Sequence, residues 1–362
     1  MPDWPVKQQR VRRFLEEKGL DGFVFSLRSS FAWLTDGGES SVDESVQAGA
    51  ADLVFIKDRA YVIAPNNEMD RLLDEVLGDQ GYEPVVYSWR GDRISVLLNL
   101  LKGKNTGSDT YIPGCREMCR EVKALRFELL PEERIRMRRL GEQTSEIVGL
   151  VLAQIRPGQT EAEVAGELKA EMAEAGIASP VVLVASDGRL KKFRHPLPTE
   201  KRIEKMVMAI VCARRWGLTV ALTRMVHFGS LPEDLKKRHN LVSSIEAELI
   251  ASTVPGARIK EIFHRCCRAY ENAGYPGEWE KHHQGGAIGY DTREYLAGPD
   301  CGEAVRENQG FAWNPFLKDV KSEDTIIASL EGPEVITLDK NWPVRIFEKN
   351  GYRIPTADIL SV

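Results

Sequence analysis

The sequence lacks three features that would each decide its class at once. No apolar run is long enough to span a bilayer. The N-terminus, MPDWPVKQQRVRRF, has basic residues but not the apolar stretch of a signal peptide. The six cysteines are too few and too scattered to form a disulfide framework in 362 residues. These absences predict a cytoplasmic protein that does not enter a membrane.

A surplus of positive charge is also absent. The chain has 49 Lys and Arg against 54 Asp and Glu, a net charge of −5. Since phosphates and anionic lipids are bound by excess cations, this balance argues against a nucleic-acid partner and against a membrane surface. What is present, 43% hydrophobic and 28% charged residues, is typical of a globular protein. A chain of this length predicts two domains.

The two predicted domains differ in their pattern. Residues 1–128 read as a smaller α/β domain: a helix at 6–18 that ends before Gly19, the buried strand GFVFSL, and a hairpin within 51–66. Residues 129–362 open with a long charged helix, and a capping box formed by Thr160 and Glu163 begins the next one. Strands then dominate, interrupted by a helical segment at 240–274. This order predicts an α+β fold, with helices over one face of a curved antiparallel sheet.

Five segments, in this order, resemble the creatinase/aminopeptidase P group of the M24 peptidase clan: FAWLTDGG, IRPGQTEAEVAGEL, RHPLPTEKRI, GLTVALTRMVHFG and KSEDTIIAS. The resemblance implies a pita-bread fold for the C-terminal domain and a creatinase-like N-terminal domain. It also implies a homodimer in which the first domain of one subunit lies near the active site of the other. Arg28 is therefore expected to contact the substrate.

Metal-dependent members of this group hold two ions with Asp, Asp, His, Glu and Glu. The resemblance places these five ligands on Ile210, Ala221, His282, Asn314 and Glu323. Ile and Ala have no donor atom, and Asn is a poor ligand for a transition metal. The sequence therefore predicts no metal cofactor, and a divalent ion held by other side chains is the alternative.

Creatinase, a metal-free member, hydrolyses a C–N bond with a histidine as acid and base. His195-Pro196, Ala221 and the pair Arg293-Glu294 resemble its segments. The resemblance implies that His195 is the general acid/base and that Arg293 binds a substrate carboxylate. His282 and His283 are expected to polarise the scissile group. Neighbouring side chains of an extended segment point opposite ways, which leaves open which of the two faces the pocket.

The rest of the expected site departs from creatinase. The glutamates that hold the guanidinium group there fall here on Thr223 and Asn314, which suit a neutral amide, urea, lactam or amidine better. Glu323 is expected to orient His282 or to contact the substrate, with a pKa raised by burial as a lone carboxylate. Trp313 is expected to line the substrate pocket, with a core position as the alternative.

These residues predict a metal-independent hydrolase of a C–N bond in a small substrate that carries a carboxylate. A lyase or isomerase with the same acid/base groups is a close variant. The first alternative is a metallopeptidase of the Xaa-Pro aminopeptidase or dipeptidase type with a rearranged site. The second is a catalytically inactive pita-bread protein that binds peptides or other proteins.

Overall fold

The computed structural model describes residues 2–362, and the chain forms two compact units. The first comprises Met1–Glu133 with Trp216–Leu218, and the second comprises Arg134–Arg215 with Thr219–Val362. The boundary drawn from the sequence, between residues 128 and 129, lies close to the first of these breaks.

The first unit is a six-stranded mixed sheet with helices. Its strands are β1 (Gly22–Leu27), β2 (Ala48–Ile56), β3 (Arg59–Pro65), β4 (Tyr82–Tyr87), β5 (Thr106–Ser108) and β6 (Arg116–Glu117), in the order β4-β3-β2-β1-β5-β6. Its helices are α1 (Trp4–Lys18), α2 (Arg28–Leu34), α3 (Met69–Arg71), α4 (Arg93–Leu101) and α5 (Cys119–Lys123). The predicted hairpin is the antiparallel pair β2 and β3.

The local signals in this unit have the expected physical basis. The first helix ends at Gly19, whose φ of 62° is a left-handed conformation that a glycine adopts without steric cost. The helical segment after β3 is irregular, because α3 continues as a π-helical turn over Leu72–Leu77.

The second unit contains four helices and two sheets. The helices are α6 (Pro131–Gln154), α7 (Glu161–Glu174), α8 (Glu233–Ser252) and α9 (Ile259–Asn272). A four-stranded sheet, in the order β19-β9-β8-β7, consists of β7 (Ala178–Ser186), β8 (Met206–Arg215), β9 (Leu218–His227) and β19 (Leu360–Ser361). The capping box of Thr160 and Glu163 begins α7, as predicted.

The five-stranded sheet of this unit has the order β11-β10-β12-β15-β16. Its strands are β10 (Gly285–Ala287), β11 (Tyr295–Leu296), β12 (Gly310–Trp313), β15 (Asp324–Ile327) and β16 (Glu334–Val335). Two hairpins complete the unit: β13 (Phe316–Leu317) with β14 (Val320–Lys321), and β17 (Val344–Lys349) with β18 (Tyr352–Ala357).

Helices α8 and α9 cover the five-stranded sheet. Ile250 and Phe263 of the helices share one hydrophobic cluster with Phe311 and Ile326 of the sheet. The helical segment predicted at 240–274, with an interruption at Pro255-Gly256, is two helices, and the chain turns between them at Gly256 with a φ of 90°. The predicted α+β class, with helices on an antiparallel sheet, is confirmed.

One contact between the two sheets positions the site. The backbone N–H of Thr223, in β9, donates to the carbonyl oxygen of Glu323 at 3.0 Å. The residues just before β15 therefore lie against the middle of β9. Within residues 2–362, no helix combines the length and the apolar character that a membrane crossing needs.

Candidate active site

Three histidines from two distant segments meet in the second unit. Nε2 of His195 lies 3.1 Å from Nε2 of His282. The rings of His282 and His283 stack with their centroids 4.4 Å apart. One ring nitrogen from each of the three lies within 4.8 Å of the others. The cluster runs from exposed His195 to buried His282.

Both adjacent histidines belong to this cluster, so the expectation that they point opposite ways is wrong. Alternation is a property of a pleated strand, and β10 begins only at Gly285. His282 has extended backbone, but it directly follows a 3-10 turn over Glu278–Lys281. In this irregular stretch the two imidazoles stack side by side.

Buried hydrogen bonds from Gln284 and Tyr270 hold the backbone at His282 in place. The amide Nε2 of Gln284 donates to the carbonyl oxygen of His282 at 2.5 Å. The hydroxyl of Tyr270 donates to Oε1 of the same glutamine at 3.1 Å. Because these groups are buried and paired, they fix the direction from which His282 enters the site.

The His195 loop is held by its neighbour Arg194. The Arg194 guanidinium lies 4.0 Å over the ring of Phe316. It also donates to the Lys318 carbonyl at 3.2 Å and to the Glu278 carboxylate at 3.1 Å. A guanidinium stacks and hydrogen-bonds at the same time, so the β13–β14 hairpin and the 3-10 turn together hold a loop that has no strand or helix of its own.

Below the histidines lies a buried ion cluster around Glu323. Its Oε2 accepts hydrogen bonds from Lys321 Nζ and from Thr223 Oγ1, both at 2.7 Å. Its Oε1 lies 3.5 Å from Arg293 NH2. Burial alone would raise the pKa of Glu323, but the charges of Lys321 and Arg293 and the hydrogen bonds from Lys321 and Thr223 lower it to about 2. The expected rise of this pKa is wrong because the carboxylate is not alone.

Lys321 was not among the residues selected from the sequence, although a signal for it was present. Side chains two residues apart in extended backbone face the same side. The spacing alone therefore places Lys321 beside Glu323. In the structure this lysine is 3% exposed, and a lysine so buried needs a counter-charge. Cys212, on β8, was also missed: burial raises the pKa of its thiol to about 11, and the charges of Glu323 and Arg293 reach it.

The three imidazoles favour their neutral forms. Burial, followed by the positive charge of Lys321, lowers the pKa of His282 to about 3. Burial and the charge of Arg293 lower the pKa of His283 to about 4. The pKa of the more exposed His195 is also lowered, by burial and by Lys321. Neutral imidazoles can donate at one nitrogen and accept at the other, which acid/base chemistry requires.

The remaining selected residues lie in different surroundings. The backbone N–H of Asn314 donates to the Gln284 carbonyl at 3.1 Å, and its buried Oδ1 has no partner. Trp313 is fully buried against α8 and α9, and its N–H donates to Thr253 Oγ1 at 3.0 Å. This core position argues against the predicted substrate contact. Arg28, in the first unit, pairs with Glu39 at 3.4 Å, and its substrate contact stays a prediction.

The donor set does not fit the pair of divalent ions that the resemblance implies. Ile210 is part of a hydrophobic cluster, and Ala221 is fully buried. Glu323, one of the two remaining ligands, is already paired with the ammonium of Lys321. A cation held at 2.7 Å occupies one oxygen that a metal would need, so these side chains do not supply the ligands of a metal pair.

Comparisons with known proteins agree with this architecture. A Xaa-Pro dipeptidase from Bacillus anthracis superimposes with a TM-score of 0.80 and 21% identity over 99% of this chain and 100% of that one. A prolidase from Pyrococcus furiosus superimposes with a TM-score of 0.77 and 18% identity, covering 91% and 100%. The fold is therefore that of the pita-bread proteins, as predicted.

The sequence itself identifies the family. Residues 135–352 match the profile of metallopeptidase family M24. The chain belongs to this family of hydrolases. An uncharacterized peptidase from Staphylococcus epidermidis (strain RP62A) is 29% identical over 123 residues, which is 32% of this chain and 34% of that protein. The match thus spans about a third of the length of this curated relative.

Proposed function

We propose that this protein is a metal-independent hydrolase of a C–N bond in a small substrate that carries a carboxylate. The observation that carries the proposal is the Lys321 ammonium 2.7 Å from Glu323, with both side chains buried. This ion pair stands where the family resemblance expects a carboxylate free to bind metal. The site is thus built around fixed protein charges and neutral histidines.

The charge balance favours an anionic substrate. Lys321 and Arg293 contribute two positive charges, Glu323 contributes one negative charge, and the low pKa values of His282 and His283 leave those rings neutral at pH 7. One positive charge is therefore unbalanced among these groups. Because the cluster is buried, a substrate carboxylate would feel this charge strongly.

Arg293 is the group proposed to bind that carboxylate. Its NH1 donates to the Thr292 carbonyl at 2.6 Å and its NH2 faces Glu323, while its buried Nε has no partner. A guanidinium has five N–H donors, so these contacts leave donors for a substrate anion. The unpartnered Oδ1 of Asn314 supports a contact with a neutral amide or urea N–H.

The proposed chemistry follows from the hydrogen bond between the two Nε2 atoms. If His195 donates its Nε2–H to His282, its Nδ1 keeps the lone pair of a general base, and Nδ1 of His282 carries a hydrogen without a protein partner. His195 takes a proton from water as the water oxygen attacks the carbonyl carbon. His282, with His283 beside it, stabilises the oxyanion. The C–N bond then breaks, and His195 returns the proton to the leaving nitrogen.

A peptidase of the Xaa-Pro type is the second candidate. Its support is the similarity to a Xaa-Pro dipeptidase over 99% of the chain, combined with the three convergent histidines. Such an enzyme would have to bind its metal with a ligand set different from the five positions of the family.

The decisive experiment measures metal content and activity on one preparation. Untagged protein is dialysed against EDTA, its metals are quantified by mass spectrometry, and it is assayed with N-carbamoyl and N-acyl amino acids, lactam acids and Xaa-Pro dipeptides. The proposal expects turnover of a small carboxylated amide or urea with less than stoichiometric metal. Turnover restricted to Xaa-Pro peptides and restored only by added metal would establish the peptidase instead.

Two matched variants locate the chemistry. His195→Gln should abolish turnover, whereas His264→Gln, on the exposed face of α9, should leave it unchanged. No turnover of any substrate by a folded protein, together with peptide binding, would instead support an inactive binding protein. A homodimer with a substrate contact from Arg28 stays a prediction, which light scattering and the Arg28→Met variant can test.

A further inference from the structure

The three histidines have a second use that the acid/base role does not require. We propose that His195, His282 and His283 bind a single transition-metal ion of the Zn²⁺ or Co²⁺ type, and that this ion inhibits the enzyme. The ligand set differs from the carboxylate-rich pair of the family, since it uses His195 and His283 and none of the carboxylates. The inhibitory part rests on the proposed function, whereas the binding part does not.

The distances support a metal. Zn–N bonds are about 2.0–2.1 Å long, so two nitrogens of a tetrahedral site lie about 3.3 Å apart. The two Nε2 atoms of His195 and His282 are 3.1 Å apart, close to this separation. The third imidazole, His283, has a ring nitrogen within 4.8 Å of both, and this nitrogen must move closer for one ion to bind all three.

The chemistry of the ligands is also suitable. Imidazole nitrogens are common ligands of Zn²⁺ and Co²⁺, and one ring nitrogen from each of the three histidines lies within 4.8 Å of the others. The exposed ring of His195 gives an ion access from solvent and leaves a fourth position open. The Glu323 carboxylate 2.7 Å from Lys321 offsets the charge of that ammonium, whereas the remaining positive charge of Arg293 opposes a cation and lowers its affinity.

The surroundings also limit the affinity. Histidine ligands usually donate their second ring N–H to a carboxylate or carbonyl, and losing such a partner lowers metal affinity by about 10–100-fold. Nδ1 of both His282 and His283 is buried without a partner. The site should therefore exchange its ion with solvent rather than hold it permanently. This suits a reversible inhibitor that competes for the nitrogens used in catalysis.

The test is a Co²⁺ titration of untagged, EDTA-dialysed protein, followed by visible d–d absorption and, in parallel, by activity. Wild type and the control His264→Gln should bind one equivalent with a tetrahedral spectrum. His283→Gln and His195→Gln should each weaken binding at least tenfold. Circular dichroism and thermal unfolding confirm that each variant is folded, and Zn²⁺ should displace Co²⁺.

The outcomes separate the two proposals. Binding with loss of activity supports both of them. Binding that creates or raises activity keeps the metal site and overturns the metal-independent function. Activity without any Co²⁺ binding, or binding that His283→Gln leaves unchanged, overturns the metal site and leaves the proposed function standing.

Discussion

The side chains of residues 321–324 belong to two buried polar clusters. The carboxyl pKa values of these clusters shift in opposite directions. Lys321 and Glu323 face the histidine side, where Glu323 pairs with Lys321 and Thr223. Ser322 and Asp324 face the other way: Ser322 donates to Glu246 of α8, and Asp324 pairs with Arg224 at 2.8 Å. Alternation along extended backbone separates the two sets.

The two clusters show that burial alone does not set a carboxyl's pKa. Glu323 and Asp324 are both almost fully buried. Cations lower the pKa of Glu323 in spite of burial. Burial raises the pKa of Asp324, and the opposing charge of Arg224 does not overcome it. Burial and the nearby charge of Asp324 raise the pKa of Glu246 well above its ordinary value. The pKa of the carboxyl on the histidine side is thus lowered, whereas the pKa values of the two carboxyls on the other side are raised.

The largest effect is expected from Lys321→Met, which removes the main partner of Glu323. Breaking a buried ion pair on one side costs about 3–5 kcal/mol, because the remaining charge stays desolvated. Arg293 still faces Glu323 at 3.5 Å, so a loss at the low end of that range is expected. Urea unfolding monitored by circular dichroism measures it.

The double variant Lys321→Met with Glu323→Gln is the control for this prediction. It removes both charges, so it should recover most of the lost free energy of unfolding while leaving activity low. If Lys321→Met alone is as stable as wild type, then the ammonium does not carry the role that its distance from Glu323 suggests.

A matched pair of threonines separates function from stability at the next level. Thr223 donates to Glu323 and Thr337 donates to Asp324, each at 2.7 Å. Replacing either by Val keeps the shape and removes a hydrogen bond to a carboxyl group, which costs about 1.5–3 kcal/mol. Thr337 Oγ1 also accepts from the Thr325 N–H at 2.9 Å, so Thr337→Val should lose at least as much free energy of unfolding as Thr223→Val, but only Thr223→Val should lower kcat/KM. An equal loss of activity in Thr337→Val would show that the two clusters act as one.

The pH dependence of activity should follow the histidine side. His195 has a pKa below its ordinary value of 6.5, and it must be neutral to accept a proton. The profile of kcat/KM should therefore be flat near pH 7 and fall on the acid side, below pH 6.5, by about tenfold per pH unit. Stopped assays in constant-ionic-strength buffers measure this limb. A profile that falls above pH 7 instead would require an acid that must be protonated, which contradicts the role of His195 as the general base.

Most of the fold could be predicted, because its signals are local and periodic. The capping box of Thr160, the glycine after α1 and the β2–β3 hairpin each depend on neighbours in sequence. The family segments then placed His195, His282 and Arg293 in one domain. A comparison of motifs gives no more than this shared domain. The structure brings these residues together with Glu323.

What could not be predicted depends on partners that are distant in sequence. The direction of the Glu323 pKa depends on Lys321, Arg293 and Thr223, and the last of these is a hundred positions away. The orientation of His283 depends on an irregular turn, to which the alternation rule does not apply. Trp313 lies in the core because its side of strand β12 packs against α8 and α9. Of these features, only the role of Lys321 could have been predicted from the sequence, because Lys321 lies two positions before Glu323.

The smallest effect is expected from Glu246→Gln, and its sign distinguishes the clusters most sharply. With its pKa raised above the ordinary 4.5, Glu246 keeps its proton in the folded state where the unfolded state has lost it. Its contribution to stability is thus fully present below pH 4.5 and is lost as pH rises towards the folded pKa. Glutamine resembles the protonated acid, so the variant should lie within about 1 kcal/mol of wild type. Its free energy of unfolding should fall less steeply above pH 4.5.

Glu323→Gln is the matched comparison, since it makes the same change in a carboxyl whose pKa is lowered to about 2. The wild-type group stabilises the fold above its ordinary pKa of 4.5, and this contribution is lost as pH falls towards 2. Its glutamine variant should therefore lose stability at pH 7, because Lys321 is left buried without its partner. An equal change in the free energy of unfolding of the two variants at pH 7 would show that the two clusters have the same electrostatics. The division between residues 321 and 323 on one side and 322 and 324 on the other would then make no difference to stability.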